Sequence, residues 1–327
     1  MNLSVSPALA PERADLLAAL CKAGGDPLRL KVLRALSNDS FGVLELAQIF
    51  AIGQSGMSHH LKVLAQAGLV ATRREGNAIF YRRSLPQGAL HAGLLEEVDA
   101  LELDAGERAR VAAVHDRRAQ ASRAFFARVA DDFRASQELI ANLSHYRDGL
   151  LSLLDALDFD TSATCIEVGP GDGAFLPELA RRFARVIALD NSEVMLEQAR
   201  RQCEEKRLEN VELRLADVLR ETPAKADCVV MNMVLHHFPA PAEAMHRLAA
   251  LVNGGGSLLI SELCSHDQSW ARTACGDLWL GFEQEDLARW AGAAGLVPGE
   301  SLYLGLKNGF QIQLRHFAKP DAKQPLE

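Results

Sequence analysis

Thr164-Cys165-Ile166-Glu167-Val168-Gly169-Pro170-Gly171-Asp172-Gly173 decides the fold of the larger part of this chain. Its first half is a β-branched, apolar run that reads as a buried strand. Its second half places glycine at every other position. Glycine lets the backbone take angles closed to other residues and lets a ligand approach the main chain, and a helix start behind such a turn favours negative charge. The spacing Gly169-x-Gly171-x-Gly173, with Glu167 two residues before the first glycine, differs from the G-x-G-x-x-G of dinucleotide sites.

Working outward, further strands are expected at Val186–Leu189, Val211–Leu215, Cys228–Met231 and Ser257–Ile260. A late pair at Ser301–Leu304 and Phe310–His316 closes the sheet. Continuous apolar strands separated by helices indicate a buried, mostly parallel sheet, so residues 121–318 read as an α/β, Rossmann-like domain, followed by a polar tail at 319–327. Acidic residues recur at the strand ends. Asp190, followed by Asn191, ends the second strand, where a carboxylate can bind two ribose hydroxyls. Asp217, followed by Val218, lies after the third, where it can accept from an adenine amine. Asn232 and Leu235 follow the fourth.

The first 88 residues carry a different pattern. Leu16, Leu17 and Leu20 form an apolar stripe, and Pro27 starts a second helix with Leu30, Val32, Leu33 and Leu36. Val43–Phe50 is a short helix, and a turn at Ile52-Gly53 leads to another from Gln54 to Ala67. Val70–Arg74 and Ala78–Arg83 alternate as strands around Gly76-Asn77, a hairpin tip. This order is a winged helix-turn-helix. On the helix from Gln54, Met57, Leu61 and Leu64 make the core stripe, leaving Gln54, Ser55, Ser58, His59 and Lys62 outward to meet duplex DNA in the major groove. Arg73, Arg74 and Asn77 are placed to grip the flanking backbone.

Charge agrees with that division. The chain has a net charge of −8, yet residues 1–90 hold 10 basic and 6 acidic residues. A basic first part on an acidic chain is the footprint of a protein that touches nucleic acid with that part alone. No apolar run reaches a membrane span and Met1–Leu20 lacks a signal core, so a cytoplasmic protein is expected. Six scattered cysteines without C-x-x-C pairing suit a reducing compartment. Residues 89–120, with Leu90, Leu94, Val98 and Leu101 on one helical stripe, read as a dimerisation and linker segment.

Asp26-Pro27-Leu28-Arg29-Leu30-Lys31-Val32-Leu33, His59-His60-Leu61-Lys62-Val63-Leu64 and Ala67-Gly68-Leu69-Val70 resemble the ArsR/SmtB family of bacterial transcriptional repressors. That resemblance implies a homodimer on an inverted-repeat operator, with DNA affinity lowered by a ligand. The family's metal ligands are missing. Val43-Leu44-Glu45-Leu46-Ala47-Gln48 holds no cysteine, and His91 is followed eleven residues on by Glu102, not a second His. No metal is expected at either familiar sensing position.

The glycine turn and its acids resemble the class I S-adenosylmethionine (SAM) methyltransferases over roughly residues 121–317. The resemblance implies Gly169, Gly171 and Gly173 around the methionine part of SAM, Asp190 on the ribose, Asp217 near the adenine, and Asn232 and Leu235 beside the sulfonium. His236 and His237 are candidates for a base. The chain has Asn232-Met233-Val234-Leu235 where amide- and base-methylating relatives carry (D/N)-P-P-(Y/F), which argues against DNA base methylation. Phe125, Phe126 and Tyr146 are read as a lid or as core, and Trp270, Asp277, Trp279 and Tyr303 as a substrate wall or as packing. The leading expectation is a regulator that reads SAM or its product S-adenosylhomocysteine (SAH). The alternatives are an active small-molecule methyltransferase that regulates its own gene, and a metalloid-responsive regulator using Cys264 and Cys275.

Overall fold

The computed structural model describes residues 13–75, 78–129, 139–221 and 224–321. They form two compact units, residues 1–114 and 115–327. Among the described residues, no helix is long and apolar enough to cross a membrane.

In the first unit, α1 (Arg13–Gly24) and α2 (Pro27–Ala35) are followed by a two-residue strand, β1 (Phe41–Gly42), then α3 (Val43–Ile49) and α4 (Gln54–Gln66). The wing is β2 (Val70–Glu75) against β3 (Ala78–Arg83), with β1 on the outer side of β3. Asp26 starts α2 by accepting the Arg29 N–H at 3.0 Å, with Pro27 at the first helical position, where its missing N–H costs nothing. Phe41, Leu33, Leu36, Leu46, Ile49, Met57, Leu61, Leu64 and Leu69 are fully buried together.

Two apolar stripes differ from expectation. Leu16 and Leu17 of α1 are 49% and 42% exposed. The segment 89–120 is two helices, α5 (Ala89–Asp99) and α6 (Ala105–Val129), broken at 100–104. The buried face of α5 is His91, Leu95 and Val98, while Leu90 and Leu101 are exposed. Val98, together with Val111 and Val114 of α6, packs into the first unit's core. The stripe slips because Leu94 and Leu95 are adjacent and either can lead the apolar face.

The second unit opens with the remainder of α6, a single 3₁₀ turn at Leu143–His145 and α7 (Arg147–Asp155). A seven-stranded sheet follows, with β4 (Thr164–Val168), β5 (Arg185–Asp190), β6 (Val211–Leu215), β7 (Ala226–Asn232), β8 (Val252–Leu263), β9 (Val297–Gly305) and β10 (Gln311–Ala318). The order is β6-β5-β4-β7-β8-β10-β9, parallel except for β10, which is antiparallel to both neighbours. The expected strand set is present, each matching or falling within an observed element except that Phe310 lies outside the last strand, which starts at Gln311. Helices α8 (Leu176–Ala180), α9 (Glu193–Lys206), α10 (Pro241–Leu251), α11 (Ala271–Ala274) and α12 (Gln284–Ala293) connect the strands. Strand order reverses on either side of β4, so a crevice opens beyond the carboxyl ends of β4, β5 and β7. Lys319, the first residue of the polar segment, is bonded to the sheet end: its ammonium donates to the Ala249 and Val252 carbonyls at 2.7 and 2.8 Å.

Leu61 and Lys62 of α4 separate core from surface within one residue. Leu61→Ala should cost about 2–5 kcal/mol in denaturant unfolding followed by circular dichroism, from lost transfer energy and the cavity left behind. Lys62→Ala should stay within about 0.5 kcal/mol of the parent.

Candidate cofactor cavity and DNA-reading face

The turn after β4 has φ of +70° at Gly169, +58° at Gly171 and +78° at Gly173, a region that L-residues rarely enter. The Gly169 N–H donates to the Leu189 carbonyl at 2.8 Å, tying the turn to β5. A Cβ on Gly169 would stand 2.7 Å from Val234 Cγ1, and one on Gly173 would stand 3.0 Å from Ala199 Cα. Gly169 therefore lets the loop after β7 close in, and Gly173 lets α9 pack. Gly169 and Gly171 line a cavity of about 1230 Å³, counted with its open mouth; Gly173 stands behind it.

Four carboxylates reach this crevice, Asp172 of the glycine turn among them. Glu167, on β4, is 1% exposed; its Oε1 accepts from Asn232 Nδ2 at 3.0 Å. Its Oε2 is buried with no hydrogen-bond partner among the described residues. Burial pushes the Glu167 carboxyl up to about 7, Asp172 adding to the rise and the Asn232 bond opposing it. Asp190, at the end of β5, is likewise raised by burial, to about 6, against the Ser192 and Asn191 N–H groups. Asp217, after β6, accepts the Leu219 N–H at 3.0 Å and pairs with Arg220 at 3.5 Å. Asn191 and Val218 line the cavity beside Asp190 and Asp217.

The loop after β7 departs from the sequence reading. Asn232, Met233 and Val234 line the cavity, but Leu235 is fully buried outside it. The cause is a 3₁₀ turn at Leu235–His237, closed by His237 N–H to the Val234 carbonyl at 2.9 Å. Three residues per turn put positions i and i+3 on one side, so Val234 and His237 face the cavity while Leu235 and His236 turn into the protein.

The two histidines consequently differ. His236 is held at Nδ1 by Glu262 Oε1 at 2.7 Å, and its N–H donates to Glu262 Oε2 at 3.1 Å. Its Nε2 lies 3.7 Å from Asp277 Oδ1. Burial disfavours the imidazolium, but the Glu262 and Asp277 carboxylates override it and hold His236 up at about 9. His237 is lowered well below the ordinary value, by burial and by the neighbouring His236. Its Nδ1 lies 3.3 Å from the Gly276 carbonyl, and the ring meets Phe126 edge-on at 4.8 Å.

The cavity also takes Ala119, Ser122, Arg123 and Phe126 from α6, and Tyr146 before α7. Phe126 and Tyr146 were anticipated; Ser122 and Arg123 carry no motif that would single them out. Trp270, Asp277, Trp279 and Tyr303 lie outside the lining. Trp279 is buried, with its indole N–H on the Phe238 carbonyl at 2.8 Å, whereas Trp270 and Tyr303 are 39% and 38% exposed. Cys264 and Cys275 form no disulfide among the described residues, and burial pushes their thiols up to about 11 and 12.

On the first unit, Gln54, Ser55, Ser58, His59 and Lys62 are all exposed on α4, opposite the buried Met57, Leu61 and Leu64. Arg74 is exposed and Arg73 half-buried on β2. Asn77 lies outside the described residues.

Residues 25–73 match the family described as a helix-turn-helix domain, and residues 139–298 the family described as a methyltransferase domain. A 71-residue stretch, 22% of the chain, is 42% identical to a biofilm growth-associated repressor of Xylella fastidiosa, over 62% of its length. A 137-residue stretch, 38% of the chain, is 34% identical to an uncharacterized methyltransferase of Mycobacterium bovis, over 66% of its length. The chain spans from about a third to about two thirds of the curated relatives it matches. Among solved structures, the N-methyltransferase NodS from Bradyrhizobium japonicum, solved with SAH, aligns with 58% of this chain and 98% of its own at 20% identity and a TM-score of 0.45. The chain joins a helix-turn-helix domain to a methyltransferase domain.

Proposed function

We propose that this protein is a homodimeric, cytoplasmic transcriptional regulator, a repressor, whose methyltransferase domain binds SAM or SAH as a signal. One observation carries this reading. The unbroken helix α6 contributes Val111 and Val114 to the core behind the DNA-reading helix, and Ala119, Ser122, Arg123 and Phe126 to the cofactor cavity. A ligand that favours one setting of α6 biases the reader's core through the same element, which is a physical route for coupling.

The cavity suits the ligand chemically. The unpartnered Glu167 oxygen calls for a cation or donor, as an α-ammonium provides, and Asp190 is placed for ribose hydroxyls. Gln54, Ser55, Ser58, His59 and Lys62 supply the donors and acceptors of a helix in the major groove, with Arg73 and Arg74 offered to phosphate. Leu16, Leu17 and Leu90, exposed on the single chain, are the apolar surface a second copy would cover.

A second reading, methyl transfer to a small molecule, is favoured by the neutral His237 on the cavity wall, since a base must be unprotonated to accept a proton.

Duplexes selected from a random pool by the full-length protein should show an inverted repeat and bind two chains each. Fluorescence anisotropy should give at least about a fivefold change in affinity with saturating SAM or SAH. No change with either ligand overturns the sensing role. Incubation with methyl-labelled SAM and small-molecule extract tests the second reading. Label transfer that is lost in Asp190→Ala and reduced about 100-fold in His237→Ala would establish turnover with His237 as base. A total absence of transfer leaves the sensor. SAH affinity measured calorimetrically should fall as pH drops from 8 to 5.5. A ligand that needs ionised Glu167 and Asp190 must displace protons from carboxyls raised to about 7 and about 6, and the loss should steepen below pH 7. A flat profile would remove both groups from the ligand contacts.

A further inference from the structure

His236, His237 and Asp277 are buried together, and their ligating atoms lie within 4.8 Å of one another. We infer that this trio is a binding site for one divalent transition-metal ion of borderline softness, zinc foremost, at the wall of the cofactor cavity.

The donor set is two imidazoles and a carboxylate, which suits zinc and its neighbours and leaves coordination positions for another ligand. Each imidazole is already oriented from behind. Glu262 Oε1, a carboxylate, takes the His236 Nδ1–H, and the Gly276 carbonyl takes the His237 Nδ1–H. Both partners are acceptors, so each ring carries a proton at Nδ1 and turns Nε2 toward the ion, which at His236 takes the place of the second proton that Glu262 and Asp277 favour there. Carboxylates and main-chain carbonyls behind ligating histidines are the usual way proteins fix that tautomer.

Asp277 supplies an independent observation. It is 2% exposed, and neither carboxylate oxygen has a hydrogen-bond partner among the described residues. At 3.7 Å, Asp277 Oδ1 is beyond hydrogen-bond length from His236 Nε2, and Arg272 adds positive charge to its surroundings. A buried carboxylate without a hydrogen bond is costly unless positive charge stands close by, and the His236 ring offers that charge at 3.7 Å without direct contact. A bound cation meets that requirement.

The loop carrying Asp277 is built to stay in place. Leu278 and Trp279 N–H groups donate to the His236 carbonyl at 3.0 and 3.2 Å. Gly276 has φ of +77°, and a Cβ there would stand 2.4 Å from Phe125; Gly281 has φ of +68°, and a Cβ there would stand 2.2 Å from the Cys264 carbonyl oxygen. Both ends of the loop are thus glycine by steric need, and the segment between them presents Asp277 to the two histidines. The trio is unrelated to the metal positions of the repressor family, which this chain has lost.

The test uses the full-length protein, stripped with chelator and titrated with Zn(II) and with Co(II). The expected result is one equivalent per chain, with a visible cobalt d–d spectrum typical of nitrogen and oxygen donors. Asp277→Asn, which keeps the side-chain shape, and His236→Gln should weaken binding at least about tenfold, with thermal unfolding and SAH calorimetry reporting whether each remains folded. If His236→Gln fails to fold, Asp277→Asn and the parent's cobalt spectrum decide. Thiolate-to-cobalt charge-transfer absorption would assign the ion to Cys264 and Cys275 and overturn the site. So would equal affinity in Asp277→Asn, or no bound equivalent in the parent.

Discussion

A short row of hydrogen bonds crosses the carboxyl ends of the three central strands, and the cavity depends on it. Ser261 on β8 donates to Asn232 Oδ1 at 2.9 Å, and Asn232 on β7 donates to Glu167 on β4 at 3.0 Å. Strands β4, β7 and β8 are adjacent and parallel, so the row fixes the side chains at the very point where the sheet order reverses. One carboxylate oxygen is left over, and it faces the place where the glycine turn has withdrawn its side chains. Polarity and space are therefore created by the same few residues.

The glycine turn and the 3₁₀ turn work against each other across this crevice. Gly169 has no Cβ, so Val234 can approach; Val234 approaches because the turn behind it buries Leu235 and His236. Two adjacent histidines are thereby separated into different chemistries. His237 is kept neutral at the cavity wall, and His236 is pulled toward Glu262 and Asp277.

Much of this was legible in the sequence because strong local signals agreed with the tertiary result. The sheet strands are continuous apolar runs, and the two faces of α4 separate at helical spacing. The glycine turn reads correctly because three left-handed positions in five residues leave no other residue type. What failed to read had no local signature. Leu235 was expected beside the cavity, and a one-residue turn geometry gave the place to Val234. Asp277 meets the histidines from some forty residues away through a loop defined by steric contact. Leu16, Leu17 and Leu90 form apolar stripes that the single chain leaves exposed, and periodicity alone does not say which partner a stripe faces.

The unpaired oxygen of Glu167 has a consequence beyond recognition. In the empty domain it is an unmet desolvation cost at the centre of the sheet, and any ligand that satisfies it adds its binding free energy to the folded state alone. The fraction of chains open to proteolysis then depends on how full the cavity is. If the cavity binds the ligand proposed above, cellular abundance of the protein would rise with occupancy, separately from any effect on DNA affinity.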